Sequence, residues 1–236
     1  MSCATRTNAP KRPDFPGVSH ATQSGPSRKR RAVFGFERFR TNLLKLRATL
    51  MFNGHALKHL LPILGPSSFL RPDWPGPIIA MPALPFALTW AFVVKEIEQN
   101  MWYYIDGATR QKLEDAEVDW QRIAFRNLRD KAACGGNGEK CDSNDRPFVK
   151  VMIQDDAAGP SRLLVPHLFD LELGSDYIVA FPEQTCAVAF RAVLNQEQAH
   201  DVAGMIDGCF KHGTEPVSPQ RFPAKSFWTL AERNGW

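Results

Sequence analysis

The stretch from Gly76 to Val94 constrains the fold most, because it runs for nineteen residues without a charged side chain. A run of this length is long enough for a helix that spans a membrane. However, Pro82 and Pro85 fall in its middle, and proline interrupts the hydrogen bonds of a helix interior. The next residues, KEIEQNMWYYI, are typical of a strand. We therefore predict a buried strand over 88–94 paired with a strand over 101–105, and keep a membrane span as an alternative.

A second pair of strands is predicted in LGSDYIVAFPEQTCAVAF, residues 173–190. Two short apolar runs, Tyr177–Phe181 and Ala187–Arg191, flank the turn residues Pro182, Glu183 and Gln184. Apolar runs of this length around a short polar turn indicate an antiparallel hairpin. Residues 147–154 alternate between apolar and polar side chains and predict one more strand.

Helical spacing of apolar residues predicts four helices in the remaining sequence. We expect Asp119 and Asn195 to cap two of them, because their side chains accept hydrogen bonds from a first helical turn. The predicted helices cover residues 38–61, 118–133, 195–213 and, beginning near Pro166, 162–173. A Pro-rich connection is predicted over 61–77, and a loop over the Gly-, Asn- and Asp-rich residues 135–147.

The positive charge of the chain is concentrated at its N-terminus. Residues 1–50 contain eleven Lys and Arg residues and only two acidic residues, so the rest of the chain is net acidic although the whole chain carries +4. Residues 1–32 are also nearly empty of the large apolar side chains that offset the entropy of ordering, and we predict a disordered basic arm over residues 1–36. A basic patch on the folded part is not expected, and nucleic acid is therefore not the predicted partner.

Strand pairs separated by helices predict an α+β fold, with helices packed on one face of a mostly antiparallel sheet. The predicted organisation has three parts. A disordered basic arm over 1–36 is followed by a helical segment with its Pro-rich connection over 37–75 and by an α+β domain over 76–236.

The five cysteines are widely spaced and odd in number, which indicates free thiols and a cytoplasmic location. Cys134 and Cys141 are separated by six residues, a spacing that does not match the usual zinc knuckles. The chain lacks a Walker loop, a GxGxxG turn and a GxSxG elbow. We therefore predict neither a metal nor a cofactor.

From Trp120 onward the order of elements resembles the YtpQ-like bacterial family of uncharacterised proteins, over about residues 85–225. In that family a Trp precedes a helix with an A…NL pattern, and an lG-x-x-y-v-v-a-x-P strand leads into a hairpin. The matching residues here are Trp120, Ala124, Asn127, Leu128, Gly174, Tyr177, Val179, Ala180 and Pro182. Glu183, Gln184 and Thr185 stand where the family carries Arg and Asp. The resemblance implies an α+β fold without an established activity.

No catalytic constellation stands out, so the sequence favours a non-enzymatic module that binds another protein. The candidate binding residues are Pro182, Glu183, Gln184 and Thr185 at the hairpin, together with Asn127. Asn127 lies on the apolar side of its helix, where its amide is expected to bond to a neighbouring backbone. One alternative is an enzyme whose site assembles in space from Asn127, Glu183, Gln184 and His167 or His200. The other is a membrane-associated protein that uses Gly76–Val94. The oligomeric state is left open.

Overall fold

The structure is a computed structural model that describes residues 56–81, 83–96, 99–133, 137–153 and 158–233. The chain divides into two units, Met1–Leu46 and Arg47–Trp236, and every described residue belongs to the second unit. The predicted basic arm and most of the predicted helix over 38–61 lie outside the described residues.

The first sheet is built around one long central strand. Its strands are β1 (Leu60–Pro66), β2 (Ile79–Ala80), β3 (Phe86–Glu96) and β4 (Gln99–Tyr104). Every residue of β1 pairs with one side of β3. β2 and β4 pair with the other side of β3, and all three pairings are antiparallel. The first eight residues of β3 are buried, which explains why its sequence is a continuous apolar run and not an alternating one.

The second sheet contains five antiparallel strands in the order β5–β6–β8–β7–β9. They are β5 (Asn137–Cys141), β6 (Pro147–Ile153), β7 (Ile178–Glu183), β8 (Cys186–Phe190) and β9 (Arg221–Pro223). The hairpin of β7 and β8 occupies the middle of this sheet, where both strands are paired on both sides.

The described residues also form five α-helices and three short 3₁₀ helices. The α-helices are α1 (Gly107–Asp115), α2 (Trp120–Ala133), α3 (Asp170–Leu173), α4 (Gln196–His212) and α5 (Lys225–Arg233), and the 3₁₀ helices are Leu57–His59, Ser67–Phe69 and Gly159–Leu164. α4 begins with a capping box, in which Asn195 and Gln198 exchange side-chain to backbone hydrogen bonds. This box fixes the start of the helix at the residue that the sequence indicates.

The core joins the two sheets through aromatic rings. Phe86 of β3 lies 5.3 Å from Phe181 of β7 and 5.7 Å from Phe227 of α5, measured between ring centroids. On the second sheet, Val202 and Ile206 of α4 pack against buried residues of β6, β7 and β8. α2 packs against β1, and Trp120 at its start meets Trp90 of β3 edge to face.

The structure confirms the α+β class, the strand pair within 88–105, the hairpin at 177–191 and the helices over 118–133 and 195–213. Asp119 caps α2 as predicted, because its side chain accepts a hydrogen bond from the backbone N–H of Arg122 at 3.3 Å. The strands are divided between two sheets, whereas the sequence predicted one.

Three local predictions were wrong. Within the predicted Pro-rich connection, Leu60–Pro66 forms β1, because Pro62 and Pro66 are accommodated in a strand that is paired on one side only. Within the predicted loop over 135–147, Asn137–Cys141 forms β5, a polar strand at the sheet edge. No helix begins at Pro166, since the chain instead forms the 3₁₀ helix Gly159–Leu164 and then α3.

The membrane-spanning helix considered for Gly76–Val94 was also wrong. Residues 86–94 of this segment belong to β3, which is hydrogen-bonded to strands on both sides. Among the described residues, no helix combines the length and the apolar composition that crossing a membrane requires.

Candidate functional site

The predicted binding residues of the hairpin are mostly buried. Pro182 and Glu183 end β7 inside the protein, Gln184 is half-buried and only Thr185 is exposed. The turn is covered by the segment that follows α4. Gln184 donates its backbone N–H to the carbonyl of Glu215 at 3.0 Å, and Val217 donates to the carbonyl of Pro182 at 2.9 Å.

The carboxylate of Glu183 accepts hydrogen bonds from both the hairpin turn and the segment that follows α4. One oxygen accepts hydrogen bonds from the backbone N–H and the hydroxyl of Thr185, the first at 2.7 Å. The other accepts from the hydroxyl of Thr214 and the backbone N–H of Glu215, both at 3.3 Å. Because all four donors belong to the protein itself, the carboxylate serves to join the hairpin turn to the chain after α4. We call this group of residues, Glu183, Thr185, Thr214 and Glu215, the hairpin clasp.

Asn127 has the structural role that its position on the apolar side of a helix predicts. Its amide nitrogen donates to the carbonyl of Leu57 at 2.7 Å and to the carbonyl of Leu60 at 2.9 Å. These carbonyls lie where the 3₁₀ helix Leu57–His59 passes into β1, so the side chain ties α2 to a backbone about seventy residues earlier in the chain. Both amide hydrogens are used in these two bonds.

The two histidines of the predicted enzyme site have surroundings of their own. His167 bonds through Nδ1 to Asp170 at 2.7 Å, and its ring lies 4.4 Å from that of Trp228. His200 is exposed near the start of α4, about 18 Å along the helix axis from its last residue, His212. Since the hairpin clasp contacts the chain after that last turn, His200 and Glu183 do not share a site.

Two thiols lie next to the clasp. The Sγ atoms of Cys186 in β8 and Cys209 in α4 are 3.4 Å apart, and both residues are half-buried. Burial, followed by the hydrogen bond with Cys209, raises the pKa of Cys186 to about 12. Within the described ranges, no three His, Cys, Asp or Glu side chains converge in a way that could hold a metal ion.

An open groove of about 420 Å³ lies on another part of the second sheet. It is formed by the turn between β5 and β6, by α3 with the residue after it, and by the end of β8. The lining residues are Arg146, Pro147, Leu171, Glu172, Leu173, Gly174 and Arg191. We call it the arginine groove, because two of its three charged residues are arginines.

The carboxylate of Asp142 organises the turn beside the groove. One oxygen accepts from the backbone N–H groups of Asn144 at 2.9 Å and Arg146 at 3.1 Å, and the other accepts from the guanidinium of Arg191 at 2.8 Å. The bond with Arg191 and then that with Arg146 hold the pKa of Asp142 below its ordinary value. Asp142 thereby fixes the backbone of Arg146 and the side chain of Arg191.

The wall of the arginine groove that α3 forms presents an exposed apolar side chain on a helical turn whose neighbouring residues are held in place. In α3, Glu172 bonds to Lys150 of β6 at 2.8 Å and Leu173 is buried, while Leu171 between them is fully exposed. Gly174 then turns the chain at φ 89°, a conformation that favours glycine. Sequence reasoning missed this wall, because the letters DLELG do not distinguish the leucine that is buried from the one that is exposed.

Comparisons of the chain with protein-family models, with curated proteins and with solved structures find no match.

Proposed function

We propose that this chain is a non-enzymatic protein-interaction module whose arginine groove binds an acidic segment of a partner protein. The observation that carries the proposal is the pairing of Leu171, fully exposed on an anchored helix, with Arg146, which has no ion-pair partner among the described residues. A cytoplasmic location forms part of the proposal and rests on the cysteine pattern of the sequence.

The apolar part of the proposal rests on how Leu171 is held. An exposed leucine is common on protein surfaces and alone has no functional meaning. Here, the residues on both sides of Leu171 are bonded, Asp170 to His167 and Glu172 to Lys150. Binding a partner would therefore cost little backbone entropy at this turn, and burying the side chain of Leu171 would contribute about 1.5–3 kcal/mol. Val193, which is 86% exposed, follows two residues after Arg191 of the groove.

The charge of the groove favours an acidic partner. Glu172 is paired with Lys150, which also bonds to Glu139, and Arg191 is paired with Asp142. The positive charge of Arg146 is left for a ligand, on a part of the chain that is otherwise net acidic. A guanidinium recognises a carboxylate through two parallel hydrogen bonds, which gives orientation as well as attraction.

The hairpin residues stay a weaker candidate surface. Only Gln184 and Thr185 of that turn reach the surface, and Thr185 already donates its hydroxyl to Glu183. A partner that bound there would contact few free groups, so we place the main contact at the arginine groove.

The test uses the full-length chain and four variants to capture partners from native lysate, with quantification by mass spectrometry. Leu171→Asp and Arg146→Glu alter the groove. Leu70→Asp and Arg129→Glu are matched controls, since Leu70 is also an exposed leucine and Arg129 is an exposed arginine on α2. The melting temperature of each variant shows whether it is folded.

We expect a protein with an acidic segment to be captured by the native chain and by both controls, and to be lost with both groove variants. The capture should weaken at high salt, because exposed charge pairs are screened. A partner that binds all five proteins equally would place the interaction elsewhere. A partner lost with all four variants would indicate damage to folding or unspecific charge effects, which contradicts the assignment to the groove.

A further inference from the structure

The thiols of Cys186 and Cys209 are adjacent side chains that the proposed function does not use. Their sulfur atoms are 3.4 Å apart, whereas a disulfide requires about 2.0 Å. The remaining approach is small compared with side-chain rotation, and both residues retain access to solvent. The pair is therefore within reach of a bond.

The backbone on both sides of this pair is already held in place. Cys186 lies opposite Glu183 in the β7–β8 hairpin, and the carbonyl of Cys209 accepts a hydrogen bond from Gly213 at 2.9 Å. Gly213 in turn packs against the side chain of Glu183. The hairpin clasp thus connects the strand with one cysteine to the helix end with the other, and it keeps the two sulfur atoms adjacent in the folded state.

We infer that Cys186 and Cys209 are a modification site, at which a small-molecule disulfide such as glutathione disulfide converts the two thiols into an intrachain disulfide. The bond would join β8 covalently to the last turn of α4. This inference does not depend on the proposed binding function, since the arginine groove contains neither cysteine.

The reaction proceeds by two thiol–disulfide exchanges. The thiolate of Cys209 attacks one sulfur of glutathione disulfide, forms a mixed disulfide and releases one glutathione thiolate. Cys186 then gives its proton to solvent, and its thiolate attacks Sγ of Cys209 and expels the second glutathione thiolate. The two protein thiols lose two electrons and two protons in total, and glutathione disulfide is reduced to two glutathione molecules.

The surroundings of Cys186 make the second exchange slow at neutral pH. Its thiolate is scarce there because burial raises its pKa to about 12. Below that pKa, the thiolate fraction rises close to tenfold for each pH unit, and we expect the rate of closure to rise with it. Once formed, the bond closes a loop between residues 186 and 209, which should raise the Tm by roughly 5–10 °C.

The experiment incubates the full-length native chain in buffers with increasing ratios of glutathione disulfide to glutathione at pH 8. Samples are quenched with acid, alkylated, digested without reduction and analysed by mass spectrometry. The expected product is one linked peptide pair that contains Cys186 and Cys209, with the loss of two hydrogens. Cys141 is exposed and serves as the internal control for the oxidant, because it should acquire glutathione in the same sample.

Three variants test the role of each cysteine in the reaction. Cys186→Ser should trap glutathione on Cys209, and Cys209→Ser should abolish the linked pair. The Cys141→Ser variant should form the same linked pair as the native chain. Oxidation should raise the Tm of this variant as it raises the Tm of the native chain. The Tm of each reduced variant shows that it is folded.

Two results would overturn the inference. The first is the absence of a 186–209 linkage in samples in which Cys141 carries glutathione. The second is a linkage that forms only after the chain has been unfolded in urea, because the proximity of the two thiols in the folded state would then have no part in the reaction.

Discussion

A side chain on Gly213 would overlap Cγ of Glu183, so Glu183 occupies the space that any residue other than glycine would need at this position. The carbonyl oxygen of Cys209 closes the same space from another side, at 2.5 Å from the expected Cβ. The φ angle of Gly213 is −66°, which any residue adopts, so the requirement for glycine arises from packing and not from backbone conformation.

Replacement of this glycine should weaken the hairpin clasp. We expect Gly213→Ala to lower the free energy of unfolding by about 1–3 kcal/mol, because Glu183 must leave its hydrogen bonds to make room. Urea denaturation measures the change. Gly204→Ala in α4 is the matched control, since a Cβ there meets no atom within 4 Å. The control should raise stability by about 0.5–1 kcal/mol through helix propensity. An equal gain in both variants would contradict the overlap.

Asn127 should matter for stability through its two bonds to the backbone. We expect Asn127→Ala to lower the free energy of unfolding by about 1–3 kcal/mol, because the carbonyls of Leu57 and Leu60 each lose a donor in a partly buried place. The carbonyl of Leu57 keeps the backbone N–H of Leu60 as its other donor. The adjacent Arg126→Ala, on the exposed side of α2, should change it by less than about 0.5 kcal/mol. If the two variants had the same free energy of unfolding, the hydrogen bonds of Asn127 would make no measurable contribution to stability.

Lys150 should stabilise the fold in a pH-dependent manner. Its ammonium group is buried and bonds to Glu139 and Glu172, both at 2.8 Å. Burial alone lowers the pKa of Lys150, but the two carboxylates outweigh it and raise that pKa above the ordinary value of 10.5. The stabilisation is therefore complete below pH 10.5 and is lost as the pH rises through the folded-state pKa.

The measurement compares native chain and Lys150→Met in urea at pH 7, 9 and 11. We expect the variant to be less stable by roughly 1–2 kcal/mol at pH 7 and 9, since both carboxylates stay partly in water. The difference should shrink at pH 11. Lys150 also lowers the pKa of Cys141, so Cys141 is replaced by serine in both proteins, and groups remote from Lys150 cancel in the comparison. If the difference in the free energy of unfolding between the native chain and the variant grew above pH 10.5, the predicted pH dependence would be wrong.

The thiols should differ in reactivity toward iodoacetamide. Cys141 is exposed, whereas Cys186 is half-buried and has a pKa of about 12. Desolvation and the neighbouring Glu139 also raise the pKa of Cys141, yet its thiol is open to the reagent. We expect Cys141 to be alkylated first at pH 8 and Cys186 to react faster as the pH rises. Peptide mapping over time measures both rates. Equal rates in the folded protein would show that Cys186 is not shielded.

Local patterns in the sequence were sufficient for several elements and for one site residue. The hairpin of β7 and β8 was predictable because its apolar runs and turn lie within fifteen residues, and α4 because Asn195 and Gln198 form its cap. Asn127 was recognisable as a backbone tie, although its partners near Leu57 could not be named. The resemblance to the YtpQ-like family stays a prediction.

The sequence by itself determined the types of β3, β4, β6, the hairpin strands β7 and β8, and the helices α2 and α4, because periodicity and capping depend on neighbours along the chain. Only the tertiary structure decided that Leu60–Pro66 is a strand, since its identity depends on pairing with β3 about twenty-five residues later. It also decided that Glu183 is a buried clasp, that Leu171 is exposed beside Arg146, and that Cys186 meets Cys209. Each of these depends on which segments pack together, and contacts between distant segments leave no periodic signal in the sequence.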